Sequence, residues 1–549
     1  MELFKKLTIV SVILLIIQVE ITFAQKRKEI PPDAPKLIIG IVVEGMRYDY
    51  LYRFWDNFGE GGFKKMIEEG SLCKNANYNY LLTQTSPGMA TIAAGCEPII
   101  HGIVSDRWYQ RIQNNNTFSI FDEKQKTLGA ATDIYPYSPK NLLTTTFSDE
   151  LKLFNNSRSK VISISLKPET AVLAGGHLAN ASYWFDDTSG KWVSSTYYFD
   201  SLPGWVNEFN QKKFADLYLT REWLPLLSEE KYRNGSNKGI SGSIGFTADN
   251  KFAKKVTSFI KKEAQFGLLK ANPYGNLLTK DFALSAIIAE ELGADDFTDY
   301  LSIGFSPTSK LSEACGPNSV ELEDMYIRLD ADLEHLLQFI EEQFGKHNVM
   351  IYLTADHGTS YNPEDLMNQH IPAGVFNSER ALMLLGTYLN ALHDKGKWIT
   401  EYNNKQIYLN HQLIEDANLK ITDLQNEVAQ FIIQFTGVAN AVTATTFEKT
   451  QFTTGVFSTM QNSFNQKRSG DVMLNLEPGW IEKGEYLSTA NSANNYDVHV
   501  PLIWFGWKIK RERISRTVYM QDIAPSIANF LNIPFPNGCT GNVIWELEK

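Results

Sequence analysis

Five short apolar runs, at residues 37–43, 161–166, 300–305, 349–353 and 500–505, are nearly continuous rather than alternating, and each ends in a polar or glycine-bearing turn. A strand with one wet face alternates, so these runs predict strands covered on both faces, as in a parallel sheet. Between them, residues 320–344 place Leu322, Met325, Leu329, Leu333, Leu336 and Ile340 along one face of a helix. Strand and helix alternate, which predicts an α/β core. A last helix is expected over 518–531, then turns at Pro534, Pro536 and Gly538 and a short strand at 541–545. Residues 182–280 and 387–486 lack the strand–helix rhythm and are expected as two insertions that cap a site. No linker divides the chain, so 34–549 reads as a single domain.

Composition narrows the class. A hydrophobic content of 43% with 21% charged residues suits a soluble globular protein, and a net charge of −11 argues against nucleic acid as the main partner. Lys5 and Lys6 precede an apolar run at 7–17 that is too short to span a bilayer, and Phe23-Ala24-Gln25 follows as a cleavage junction. Residues 1–24 are therefore expected to be an export signal, and the mature chain is expected to carry no transmembrane span. Cys73, Cys96, Cys315 and Cys539 lack metal-knuckle spacing, so one or two disulfides are expected, with three pairings open.

The chemistry gathers at strand ends. The run 349–353 leads into Thr354-Ala355-Asp356-His357-Gly358, a carboxylate and an imidazole side by side of the kind Zn²⁺ accepts. Glu44 follows the first run, Lys167 follows 161–166, and His499 opens the last. Thr85-Ser86-Pro87 precedes a helix expected over 88–94, where a helix N-terminus favours an anion and eases an alkoxide. Singly, each has an ordinary structural explanation; their shared placement makes them a candidate site.

These residues resemble the alkaline phosphatase superfamily, specifically the exported bacterial enzymes with a threonine nucleophile and two zinc ions. The resemblance runs through Val42-Val43-Glu44-Gly45-Met46-Arg47, Ser105-Asp106-Arg107-Trp108-Tyr109, Gly175-Gly176-His177, Gly316-Pro317-Asn318, Asp356-His357-Gly358 and Tyr496-Asp497-Val498-His499-Val500-Pro501. It implies a three-layer α/β/α core with a mostly parallel sheet and two capping insertions, in a periplasmic or secreted protein of a Gram-negative envelope. It further implies a first metal held by Glu44, Asp356, His357 and Thr85, the last also the nucleophile. A second metal would involve His499, with Ser309 and Glu313 at the positions of an aspartate and a histidine. Asp106 stands where the family has a phosphate-binding asparagine, and Lys167-Pro168-Glu169 stands for a Lys-x-Arg pair.

Ser309, Glu313, Asp106 and Glu169 are four unfavourable replacements, and Glu44 stands where the family has an aspartate, one methylene shorter. Ser309 is a poor zinc ligand, Lys310 beside it repels a divalent ion, and Asp106 and Glu169 oppose a phosphate dianion. The expectation is zinc at one ion or none, with the second site lost, and a protein with weak or no phosphatase activity that serves a binding or assembly role with an envelope partner. The alternative is a metal-dependent hydrolase of small phosphate esters, with Thr85 as nucleophile and one metal. A third expectation is that Glu44, Asp106, Glu169 and Glu313 make the pocket fit for a cation.

Overall fold

The computed structural model describes residues 33–130, 136–233, 265–484 and 486–548. The expected export signal at 1–24 lies outside them. Among the described residues no helix is long and apolar enough to cross a membrane.

Ten strands form one sheet: β1 (Leu37–Val43), β2 (Ser71–Asn77), β3 (Thr127–Leu128), β4 (Val161–Ser165), β5 (Ala181–Asp186), β6 (Lys191–Ser195), β7 (Asp299–Phe305), β8 (Val349–Thr354), β9 (His499–Gly506) and β10 (Glu512–Tyr519). Their spatial order is β10-β2-β9-β8-β1-β7-β4-β5-β6-β3. The centre, β8-β1-β7-β4-β5, is parallel, and every residue of β1, β7 and β8 is buried. Burial on both faces of these strands requires helical layers on both sides, which is why their sequences carry no polar alternation. The 25-residue helix Val320–Phe344 is one of the covering elements and has the expected bounds.

Three expectations need correction. The run at 500–505 is buried but antiparallel: β9 pairs with β8 on one side and β2 on the other, so continuous apolarity reported burial and not direction. The helix expected from 518 starts only at Ile523, because Val518 still pairs with Ala76 in the ladder of β10 with β2. Residues 541–545 form no strand, and the chain there ends in a single helical turn, Trp545–Leu547.

The range 182–280 also divides differently. Its first part supplies most of β5 and all of β6, which extend the main sheet, rather than a cap. The second range holds a small sheet apart from the main one. Strands Ile399–Asn403, Gln406–Leu409, Val472–Leu476 and Val438–Thr443 form a four-stranded sheet with its own core around Leu385, Trp398, Ile407 and Val428. The tip of its first hairpin reaches the main body, where Gln84 Nε2 donates to Asn404 Oδ1 at 2.9 Å.

The expected disulfides are absent, and the four cysteines are thiols. Cys73, Cys96 and Cys315 are buried, and burial pushes the Cys73 and Cys96 thiols up to about 12. Cys73 lies in β2 and Cys315 at the end of helix Pro307–Cys315.

A buried histidine braces the helix Thr85–Ala94. His101 is fully buried, its Nδ1 accepts from Ile103 N at 3.1 Å, and its Nε2 donates to Thr91 Oγ1 at 3.1 Å. A ring that accepts at Nδ1 must be neutral, and burial, with Arg468 nearby, lowers its pKa to about 3. The unfolded chain takes up this proton near pH 6.5 while the folded chain refuses it, so this stability is complete above that pH and falls on acidification. Urea unfolding at pH 8 and pH 5 should show the wild type losing about 2 kcal/mol more than His101→Gln over that interval. Equal losses would place the acid sensitivity elsewhere.

Candidate active site

The carboxyl ends of β1, β8 and β4 bring Glu44, Asp356, His357 and Lys167 together, as expected for an open α/β sheet. Glu44 is fully buried. Its Oε1 accepts from Thr170 Oγ1 at 2.5 Å, and its Oε2 lies 2.8 Å from Lys167 Nζ. Asp356 Oδ1 accepts from the amides of Gly45 at 3.0 Å and His357 at 2.9 Å, which ties the end of β8 to the turn after β1. That turn uses Gly45 at a φ of +72°, a conformation that disfavours other residues, and packs against the backbone of Ser309.

Thr85 is the first residue of its helix, three positions earlier than expected, and is 4% exposed. The helix closes onto β8 through Gly88, where a side-chain carbon would lie 2.1 Å from Asp356 O. Lys167 Nζ lies 3.4 Å from Thr85 Oγ1. Ser86 is turned inward to Ser119, with Oγ to Oγ at 2.8 Å, so of the two hydroxyls Thr85 faces the chemistry. Neither caps the helix: Asp106 does, accepting from Ser86 N at 2.7 Å through Oδ1. A protein carboxylate thus occupies the anion position that a helix N-terminus offers.

Electrostatics concentrates on Lys167. Burial would lower its pKa, but Glu44, then Glu313 and Asp356, hold it well above the ordinary lysine value. Burial also pushes the Glu44 carboxyl up, against the pull of Lys167. Burial raises Glu169, with Asp106 adding to the effect, and it raises Glu313 against the charges of Lys167, Lys310 and His357. In His357, Nδ1 donates to Gly358 O at 2.6 Å and Nε2 lies 3.3 Å from Asp356 Oδ2. Burial would lower the His357 pKa, but Asp356 and the Gly358 carbonyl raise it.

His499 is not brought into this group. It opens β9 with its ring stacked on Tyr48 at 4.3 Å and its Nε2 2.9 Å from Lys74 O, a backbone acceptor. The nitrogen held by the carbonyl is a donor, which leaves Nδ1 as the ring's acceptor. The residue that the same segment delivers to the site is Asp497, 1% exposed, whose carbonyl accepts from Gly358 N at 2.7 Å. Burial raises Asp497 to about 7, with Ser492, Lys405 and His357 opposing. Sequence reasoning overlooked it, although it lies two positions before His499 in a motif already singled out.

Ser309 is buried against Gly45. Lys310 turns from the centre toward Tyr486, Nζ to Oη at 2.9 Å. Among the described residues no three His, Cys, Asp or Glu side chains converge to hold a metal ion. The chemistry of Glu44, Asp356, His357 and Thr85 suits a divalent ion, and the Gly358 carbonyl orients His357 as metal-bound histidines are oriented. The arrangement does not, because an ammonium stands 2.8 Å from Glu44 Oε2. Replacing the Thr170 hydroxyl by a methyl leaves a buried carboxylate oxygen without its donor. Thr170→Val should lower unfolding free energy in urea by about 1–3 kcal/mol, and an unchanged midpoint would show that Glu44 finds another partner.

The sequence matches the type I phosphodiesterase / nucleotide pyrophosphatase family over residues 38–500. It is 35% identical to the alkaline phosphatase PhoV of Synechococcus elongatus over 520 residues, covering 94% of this chain and 93% of the relative. It is 34% identical to the alkaline phosphatase PafA of Elizabethkingia meningoseptica over 529 residues, covering 95% and 96%. The crystal structure of wild-type PafA superimposes with a TM-score of 0.89 at 32% identity, over 94% of this chain and 99% of that one.

Proposed function

Because this chain belongs to the type I phosphodiesterase / nucleotide pyrophosphatase family of the alkaline phosphatase superfamily, we propose that it is an exported member in which two-metal phosphoryl transfer is lost and the fold serves a binding or assembly role in the cell envelope. The observation that carries this reading is the carboxylate of Asp106 on the Ser86 amide, at 2.7 Å. A phosphoryl group at Thr85 needs that helix terminus, and it would meet Asp106, Glu169 and Glu313 around it. Like charges at such range disfavour a dianion strongly in a partly desolvated pocket. The loss of the second metal set supports the same reading. Two ions stabilise the attacking and leaving oxygens together, and here Ser309 and Glu313 stand for two of the ligands while His499 lies elsewhere.

A second reading is favoured by one observation. Thr85 keeps the position of a nucleophile, at a helix start with a lysine 3.4 Å from its Oγ1. In that reading the chain is a one-metal hydrolase of small phosphate esters, related in chemistry to the alkaline phosphatases it resembles.

Hydrolysis of p-nitrophenyl phosphate and bis-p-nitrophenyl phosphate, with and without added zinc, separates the two. Turnover at the blank rate is expected for wild type and Thr85→Ala alike. A rate near that of ordinary alkaline phosphatases, abolished in Thr85→Ala with the fold intact, would overturn the first reading and establish the second.

A further inference from the structure

We infer that the Lys167 ammonium is the resident cation of this site, standing in for the first metal ion and excluding it. The inference deepens the proposed function and rests on it only for the residues named. Around Lys167 Nζ lie Glu44 Oε2 at 2.8 Å and Thr85 Oγ1 at 3.4 Å, and the charges of Asp356 and Glu313 also act on it. Three of these four, Glu44, Thr85 and Asp356, are oxygen donors of the set the family resemblance assigns to a metal. They are gathered about a nitrogen instead.

The arrangement follows from chain lengths. Glu44 is a methylene longer than aspartate, and its carboxylate is carried off the end of β1 far enough to be fixed from the far side by Thr170, at 2.5 Å, on the helix that Lys167 precedes. Lys167 and Thr170 therefore grip one carboxylate from the same helix start. With Oε1 bonded by Thr170 and Oε2 in ionic contact with Lys167, a divalent ion would have to displace the ammonium from a fully buried partner. Two cations a few ångströms apart repel, and in a buried site they are screened less than in water, so the ammonium weakens the hold on a second cation. A lysine binds as a permanently tethered point charge, so it stabilises the folded site without any external ion.

The test is metal binding, not turnover. Chelator-treated protein is titrated with Zn²⁺ by calorimetry and with Co²⁺ by visible absorption, for wild type, Lys167→Met, Lys167→Arg and His357→Ala. Lys167→Met should bind one ion at least ~100-fold more tightly than wild type, as removal of that repulsion predicts, and the double variant with His357→Ala should lose it. Lys167→Arg keeps a cation and should behave as wild type. Equal affinities in wild type and Lys167→Met would overturn the inference.

If Lys167→Met does not fold without metal, the wild type still decides. A wild-type ion lost in His357→Ala overturns the inference, whereas no His357-dependent ion upholds it. Aryl phosphate hydrolysis in the same samples separates the two conclusions. A wild-type ion at His357 without turnover refutes the lysine's role and spares the proposed function, while fast turnover with no such ion does the reverse.

Discussion

A carboxylate at the end of a buried parallel strand must be neutralised, and the way Glu44 is neutralised governs the rest of this site. Glu44 has no exposure to water. An isolated ion there would be costly by many kcal/mol, and a buried pair persists only with good geometry and its remaining oxygen satisfied. Thr170 satisfies one oxygen by a hydrogen bond, and Lys167 neutralises the other by an ionic contact at 2.8 Å. Their helix, Pro168–Gly175, is thereby fixed against the end of β1, and the ammonium is fixed beside Thr85.

The second constraint is the closeness of the Thr85 helix to β8. Gly88 lets the helix backbone come against Asp356, and Asp106 satisfies the helix start from the other side. Thr85 is held between them. This framework is the same architecture as PafA, at a TM-score of 0.89, because it depends on backbone approach and strand ends. What a site does depends instead on the charges placed on that framework, and fold similarity transfers those far less well. Here the charges of Glu44, Glu313 and Asp356 act on Lys167, Asp106 and Glu169 lie close to one another, and Lys310 turns out to Tyr486.

The four-stranded insertion meets the segments next to Thr85 and Asp106 through, among other contacts, the tip of its first hairpin. Asn404 bonds Gln84, and Asn404 Nδ2 donates to Arg107 O at 3.0 Å, so the cap grips the residues on either side of Thr85 and Asp106. Lys405, buried beside it, donates to Asn491 O. Apolar packing holds it as well: Leu81 and Leu82 share a buried cluster with Val442, Phe447, Met460 and Phe464 of the insertion.

Much of the fold was legible in the sequence. Apolar runs marked the central strands, and the spacing from Leu322 to Ile340 marked the long helix, because burial and helical period are local properties of a chain. The strand-end positions of Glu44, Lys167, Asp356 and His357 were legible for the same reason. Direction and facing were not. The antiparallel course of β9, and with it the turning of His499 to Lys74 and the delivery of Asp497 to the site, depends on which strands become neighbours. So does the assignment of charges: only the tertiary structure sets an ammonium against Glu44 and a carboxylate on the Ser86 amide, because each pair joins residues far apart in sequence whose meeting depends on the packed whole.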